Sequence, residues 1–122
     1  MHKFEKLQVY QLALQYADMI YALADRLPKS EEHNLKSQLA RAATSIVLNI
    51  AEGSTGQGDA EQRRFLGVAI RSLLETVACQ QLIERRRYVN KEELSKDYEF
   101  SQLPYAKLQA LRRTLQESGR KK

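Results

Sequence analysis

One cysteine, two histidines and two prolines among 122 residues remove several chemistries at the outset. Cys79 alone cannot close an internal disulfide, and no histidine lies near it in the chain, so a packed, buried thiol is expected rather than a nucleophile. His2 and His33 have no ligand partners at metal-binding spacing, and neither has a Glu three residues before it, as an inward-facing di-iron bundle would require. No metal or other cofactor is therefore expected. No apolar run approaches the length of about 18 residues that crosses a bilayer, and the start MHKFEKLQ lacks the apolar centre of a signal peptide. These absences point to a cytoplasmic protein without a membrane partner. Strand patterning is almost absent too.

What the chain does contain is helical periodicity. Its length and its 43% hydrophobic content suit one domain with a single core. From about residue 6 to 27, Val9, Ala13, Tyr16, Ile20, Leu23 and Leu27 form one apolar seam, and Leu7, Tyr10, Leu14, Ala17, Tyr21 and Ala24 form another. Pro28 stops this helix, and Ser30 is placed to cap a second one over about 31–53. The glycines of GSTGQG end that helix and open a linker; no P-loop follows, because the Lys-Ser/Thr ending is missing. Asp59 with Gln62, and Asn90 with Glu93, read as capping boxes for helices over about 60–87 and 91–118. Pro104 removes a backbone donor inside the last helix, so a kink or break is expected there, and the tail SGRKK should fray. Four such helices with short connections predict an all-α, antiparallel up-down-up-down bundle. The second seam of the first helix exceeds what a lone bundle needs, which predicts an oligomeric contact.

The segment QLARAATSIVLNIAEG carries a polar stripe beside its apolar one. Gln38, Arg41, Ser45, Asn49 and Glu52 keep the same three-and-four spacing as Leu35, Leu39, Ala42, Ala43, Ile46 and Ile50. Glu52, and Glu75 in the third helix, sit among small or apolar residues, where a carboxylate needs a partner. Arg41, Asn49 and Ser72 could supply charge-assisted hydrogen bonds, giving a structural network of Gln38, Arg41, Ser45, Asn49, Glu52, Ser72 and Glu75. Paired glutamates can also do acid-base catalysis, but no nucleophile accompanies them.

Charge is distributed unevenly. Residues 1–61 hold 6 Lys or Arg against 8 Asp or Glu, and residues 62–122 hold 14 against 7. A basic half hints at a polyanionic partner, since clustered cations gain by displacing phosphate counterions. Arg85, Arg86 and Arg87, with Tyr88 and Lys91 after them, have two readings. One is a helix end whose charges complement the dipole; the other is phosphate contact, with Tyr88 stacking on an unpaired base. Arg63, Arg64 and Arg71 form a second group, and Arg112, Arg113, Arg120, Lys121 and Lys122 a third.

QLARAATSIVLNIAEG together with RRFLGVAIRSLLET and the earlier FEKLQVYQLALQYADMIYALADRLP closely resembles the bacterial four-helix bundle family of intervening-sequence proteins, encoded in insertions within large-subunit ribosomal RNA genes. The resemblance covers about residues 4–88 and rests on Gln38, Leu39, Arg41, Ala42, Ala43, Ser45, Ile46, Asn49, Ile50, Ala51, Glu52 and Gly53. Phe65, Leu66, Ala69, Ser72, Leu73, Glu75 and Thr76 extend it, and the chain departs from the pattern after Tyr88. It implies a homopentameric ring without enzymatic activity. Accessory proteins of diversity-generating retroelements are similar in architecture and imply nucleic acid and a reverse transcriptase as partners.

Two function classes follow. The first is a non-enzymatic, oligomeric RNA- or DNA-binding protein using its basic second half, with little dependence on sequence. The second is a scaffold for a protein partner, such as a reverse transcriptase or a ribosome-associated factor.

Overall fold

The computed structural model describes residues 1–55 and 58–121, with side chains described through Gln116. Gly56 and Gln57 of the linker, and the side chains of Arg120, Lys121 and Lys122, lie outside the described residues. Regular structure within these bounds is helical throughout: α1 (Gln8–Asp25), α2 (Leu35–Gly53), α3 (Asp59–Arg85) and α4 (Lys91–Lys121), with short 3-10 turns at Lys3–Lys6 and Lys29–Glu31. Each helix packs on its neighbours in sequence, and α4 closes the circle on α1. Cross-helix contacts give the directions. Tyr21 bonds Thr44 at 2.5 Å, and Ser72 bonds Ser45 at 2.8 Å. At one end, Val9, Ile50, Leu66 and Leu115 from the four helices line a cavity of about 210 Å³. The chain is a four-helix bundle whose consecutive helices run antiparallel.

The apolar seam Val9, Ala13, Tyr16, Ile20, Leu23 and Leu27 is buried in full, and it meets Leu39, Ala43, Ile46 and Ile50 of α2 and Leu66, Leu73 and Ile83 of α3. The other seam of α1 divides. Ala17 and Ala24 are buried, whereas Leu14 and Tyr21 stay more than a third exposed. On α3 an 18-residue window reaches a mean hydropathy of 1.2, so by length and composition this helix could cross a membrane, contrary to the expectation that no segment would. Half of that window is buried inside the bundle, where α3 turns apolar residues toward both α2 and α4.

Several helix ends differ from the sequence reading. Ser30 caps no helix: residues Lys29–Glu31 make a 3-10 turn and α2 starts at Leu35, because the Glu31 carboxylate is taken up by Asn34 Nδ2 at 2.9 Å and by the Leu35 N–H. Gly58, not Asp59, is the residue before α3. The Asn90 box does form, with Asn90 Oδ1 accepting the Glu93 N–H at 2.9 Å. Gly53 is still helical and has no left-handed backbone; a Cβ there would lie 3.1 Å from Phe65 Cβ, so its bareness serves the close approach of α2 to α3. Pro104 sits inside an unbroken α4. An interior proline costs on the order of 3 kcal/mol. Complete burial of the Pro104 ring and the parallel stacking of Phe100 on Tyr16, 6.3 Å between centroids, hold the helix through it.

Candidate nucleic-acid interface

α3 ends in a lock. Arg86 follows the last helical residue, and Arg87 takes φ of 62°, a left-handed conformation in which glycine is the usual occupant. The Arg87 N–H then reaches the Glu84 carbonyl at 2.9 Å and the Tyr88 N–H reaches that of Ile83 at 3.1 Å, the paired bonds of a Schellman ending. Tyr88 finishes the closure. Its hydroxyl donates to Glu31 Oε2 at 2.8 Å while its half-buried ring packs on the core. That bond lowers the Glu31 pKa, with help from Asn34, and raises that of Tyr88. The expectation that Tyr88 is free to stack on a base is thereby corrected: ring and hydroxyl are both engaged. Arg85, Arg86, Arg87 and Lys91 remain exposed around the fixed backbone. Nearby, Arg26, the residue that follows α1, pairs with Glu93 of α4.

The second and third basic groups meet at the opposite end. The Arg112 guanidinium lies flat against α3 at Gly67, with Nη2 3.4 Å from where a Cβ would stand. Arg63 precedes Gly67 by one turn, and both Arg63 and Arg112 are half-buried with an Nε that has no hydrogen-bond partner. Arg64 is exposed, pairs with Glu61 at 2.5 Å and lies over the Phe65 ring at 4.6 Å. Arg113 is exposed, and Arg71 is exposed midway along α3. The basic residues therefore form two clusters, at either end of a helix, separated by roughly 30 Å at 1.5 Å per residue.

The motif face of α2 also divides. Ser45 Oγ accepts from Ser72 Oγ at 2.8 Å and from Asn49 Nδ2 at 3.0 Å, which ties α2 to α3. Gln38 is half-buried and bonds Asn34 at 3.3 Å. Arg41, Glu52 and Glu75 are exposed, and their side chains make no hydrogen bond or ion pair among the described residues, so the expected carboxylate network does not form within the chain. The reason is angular. Successive helical residues turn by about 100°, so Glu52, next to buried Gly53, is carried away from the core despite its small neighbours.

A buried polar cluster went unread in the sequence. The Tyr16 hydroxyl bonds Thr76 Oγ1 at 2.7 Å and accepts from Gln80 Nε2 at 3.1 Å, deep between α1 and α3. Burial pushes the Tyr16 pKa up to about 12. Thr76 and Gln80 lie at core positions of α3, and that placement was the available signal. Cys79 is buried as expected, and desolvation, with the charge of Glu75, raises its thiol pKa. His2 and His33 are exposed, and among the described residues no group of three or more His, Cys, Asp or Glu could hold a metal ion.

Comparison with known proteins bears on the whole arrangement. The sequence profile of the family described as 23S rRNA-intervening sequence protein matches residues 5–110 and so extends beyond Tyr88 and Pro104. A crystal structure of a protein of unknown function from the S23 ribosomal protein family of Bacteroides thetaiotaomicron superposes with a TM-score of 0.78. The two are 26% identical, over 84% of this chain and 96% of that one. No curated protein matches the chain. A four-helix bundle carrying the QLARAATSIVLNIAEG segment on α2, matched over most of its length by that profile, places the chain in the 23S rRNA-intervening sequence protein family.

Proposed function

We propose that this chain is a non-enzymatic, cytoplasmic nucleic-acid-binding protein that acts as a ring of copies, five in the form its family resemblance implies. The observation that carries the reading is the Arg85–Arg87 turn. Three adjacent arginines with Lys91 sit exposed on a backbone fixed by the Schellman bonds and by Tyr88, so phosphate contact costs little ordering of the main chain. One such end offers few contacts. Parallel copies in a ring would repeat it around a rim and multiply the effective affinity. A closed ring also needs two different contact faces on each copy. Exposed apolar residues are available for them, among others Leu14 and Tyr21 on α1, and Leu74 and Tyr98 on α3 and α4.

Structured RNA, with ribosomal RNA first because of the family's name, and single-stranded DNA should both shift in a mobility assay, and binding should fall steeply with salt as counterion release predicts. No shift at low salt would overturn the proposal. The second reading is a scaffold for a protein such as a reverse transcriptase. It is supported by Leu82 and Leu103, each 51% exposed. Co-purification of the native complex, with sequencing of bound nucleic acid and identification of bound protein, separates the two readings.

A further inference from the structure

The cavity at the end of the bundle opposite the arginine turn is larger than a packed core allows. It holds about 210 Å³, whereas native cores keep few voids bigger than a water molecule. Its floor is Val9 of α1, Ile50 and Gly53 of α2 and Leu66 of α3, all buried, and Leu115 of α4 closes it from the remaining side. Lys3, Leu111 and Thr114 are the exposed members of the lining and so mark the mouth. Space of this kind between the helices of a bundle is where such folds hold ligands.

The polar groups around it are few, and they differ in what they have left to give. The Ser54 and Thr114 hydroxyls donate to the Ile50 and Ala110 carbonyls of the turn before them, at 3.0 Å each, so neither has a proton to spare. Lys3 is the one charged residue of the lining among the described residues, and its ammonium makes no ion pair there. The Gln62 side-chain amide is likewise without a hydrogen bond among the described residues. Two carboxylates on the flanking segments are already engaged: Glu5 accepts the His2 N–H, and Glu61 holds Arg64. An apolar floor below a cation and an amide donor matches a molecule with an apolar tail and an anionic head. One lysine balances one negative charge, which suits a carboxylate better than a phosphate monoester with nearly two. By proportion to the ~150 Å³ cavity that takes up benzene, the volume suits a ligand of about eight non-hydrogen atoms.

We propose that this cavity is a binding site for a small amphipathic carboxylate of the medium-chain fatty acid class. The alkyl tail lies among Val9, Ile50, Leu66 and Leu115, and the carboxylate at the mouth pairs with Lys3 and accepts an N–H of the Gln62 amide. Every group involved belongs to one chain, so the site is complete in a single copy and independent of nucleic acid. A lysine suits the mouth because its ammonium is a point charge on a flexible stem, which follows a head group that projects toward solvent.

Octanoate titrated into the full chain, followed by the methyl NMR signals of Val9, Ile50, Leu66 and Leu115, tests this. The signals should move together and saturate, with a dissociation constant in the millimolar range or below, as a ligand of this size allows. Octanol and octylamine have the same tail and separate it from the head. Octanol should bind about fivefold more weakly than octanoate, the usual value of an exposed ion pair with one hydrogen bond, and octylamine more weakly still. Lys3→Gln should bring octanoate down to the affinity of octanol and leave octanol unchanged. Leu111→Trp fills the cavity from its exposed side and should abolish binding of both while the thermal midpoint holds or rises. Absence of saturable methyl shifts with octanoate would overturn the proposal, as would equal affinity for the three ligands, or octanoate binding that survives Lys3→Gln or Leu111→Trp undiminished.

Discussion

The turn after α3 and the motif face of α2 are both rich in polar residues, but they are polar in opposite ways. In the turn the N–H groups of Arg86, Arg87 and Tyr88 are all bonded back into α3 and the Tyr88 hydroxyl is tied to Glu31, while the arginine side chains are left to solvent. On α2 the side chains themselves divide: Ser45, supported by Asn49 of its own helix, holds Ser72 of α3, and the side chains of Arg41 and Glu52 face outward with no hydrogen bond or ion pair among the described residues. A fixed backbone with free charges suits a partner whose shape varies, such as nucleic acid. One stripe in the sequence can divide between the fold and the surface, because a step of about 100° turns half of it inward and half outward.

The largest expected effect attacks the turn. Replacing Arg85, Arg86 and Arg87 together with Ala removes up to three phosphate contacts, and the slope of log affinity against log salt should become shallower by about 3. The thermal midpoint should not fall, because none of these side chains holds the bundle. An unchanged slope would move the binding site to the Arg63, Arg64, Arg112 and Arg113 end.

The motif's last residue gives the next effect. Gly53→Val forces a branched side chain into the space of Phe65, whose Cβ would stand 3.1 Å from the new Cβ, and should cost about 1–3 kcal/mol in urea unfolding. Nucleic-acid binding per folded molecule should be unaltered. A smaller change of opposite sign is expected at the other region: Arg87→Gly relieves the left-handed backbone and should stabilise the protein by about 1 kcal/mol. Salt dependence should shift by only about one contact. A destabilised Arg87→Gly would mean that the arginine side chain holds the turn.

Most of the architecture was legible in the sequence. The buried seam of α1 and the apolar positions of α2 are found where their periodicity puts them, because burial is decided by spacing that local sequence carries. Helix starts were less legible. Ser30 has the chemistry of a cap, but Glu31 is recruited by Tyr88, 57 residues away, and the chain makes a 3-10 turn instead. Pro104 has the chemistry of a break, but burial and the Tyr16–Phe100 stack carry α4 through it. For the candidate site, composition located the arginines but not their grouping. Two clusters at opposite ends, with Arg112 laid on Gly67, depend on how α4 returns along α3.

The smallest effect concerns the Glu31–Tyr88 bond and is read through pH. In the folded chain the Glu31 pKa is lowered, first by the Tyr88 hydroxyl and then by Asn34. A carboxylate depressed in this way contributes stability above its unfolded pKa of about 4.3 and loses it as pH falls through the folded value. Glu31→Gln should therefore lower the thermal midpoint near neutral pH and converge with the wild type as both are acidified below about pH 4. Asp97 moves the other way, since burial raises its pKa despite Arg26, but it titrates alike in both proteins and cancels in the difference. Tyr88→Phe should reproduce the neutral-pH loss and also narrow with acid, because it removes the donor that makes the charged form of Glu31 favourable. A gap between wild type and Glu31→Gln that stays constant down to low pH would show that Glu31 acts through packing, and that the arginine turn is held by its Schellman bonds alone.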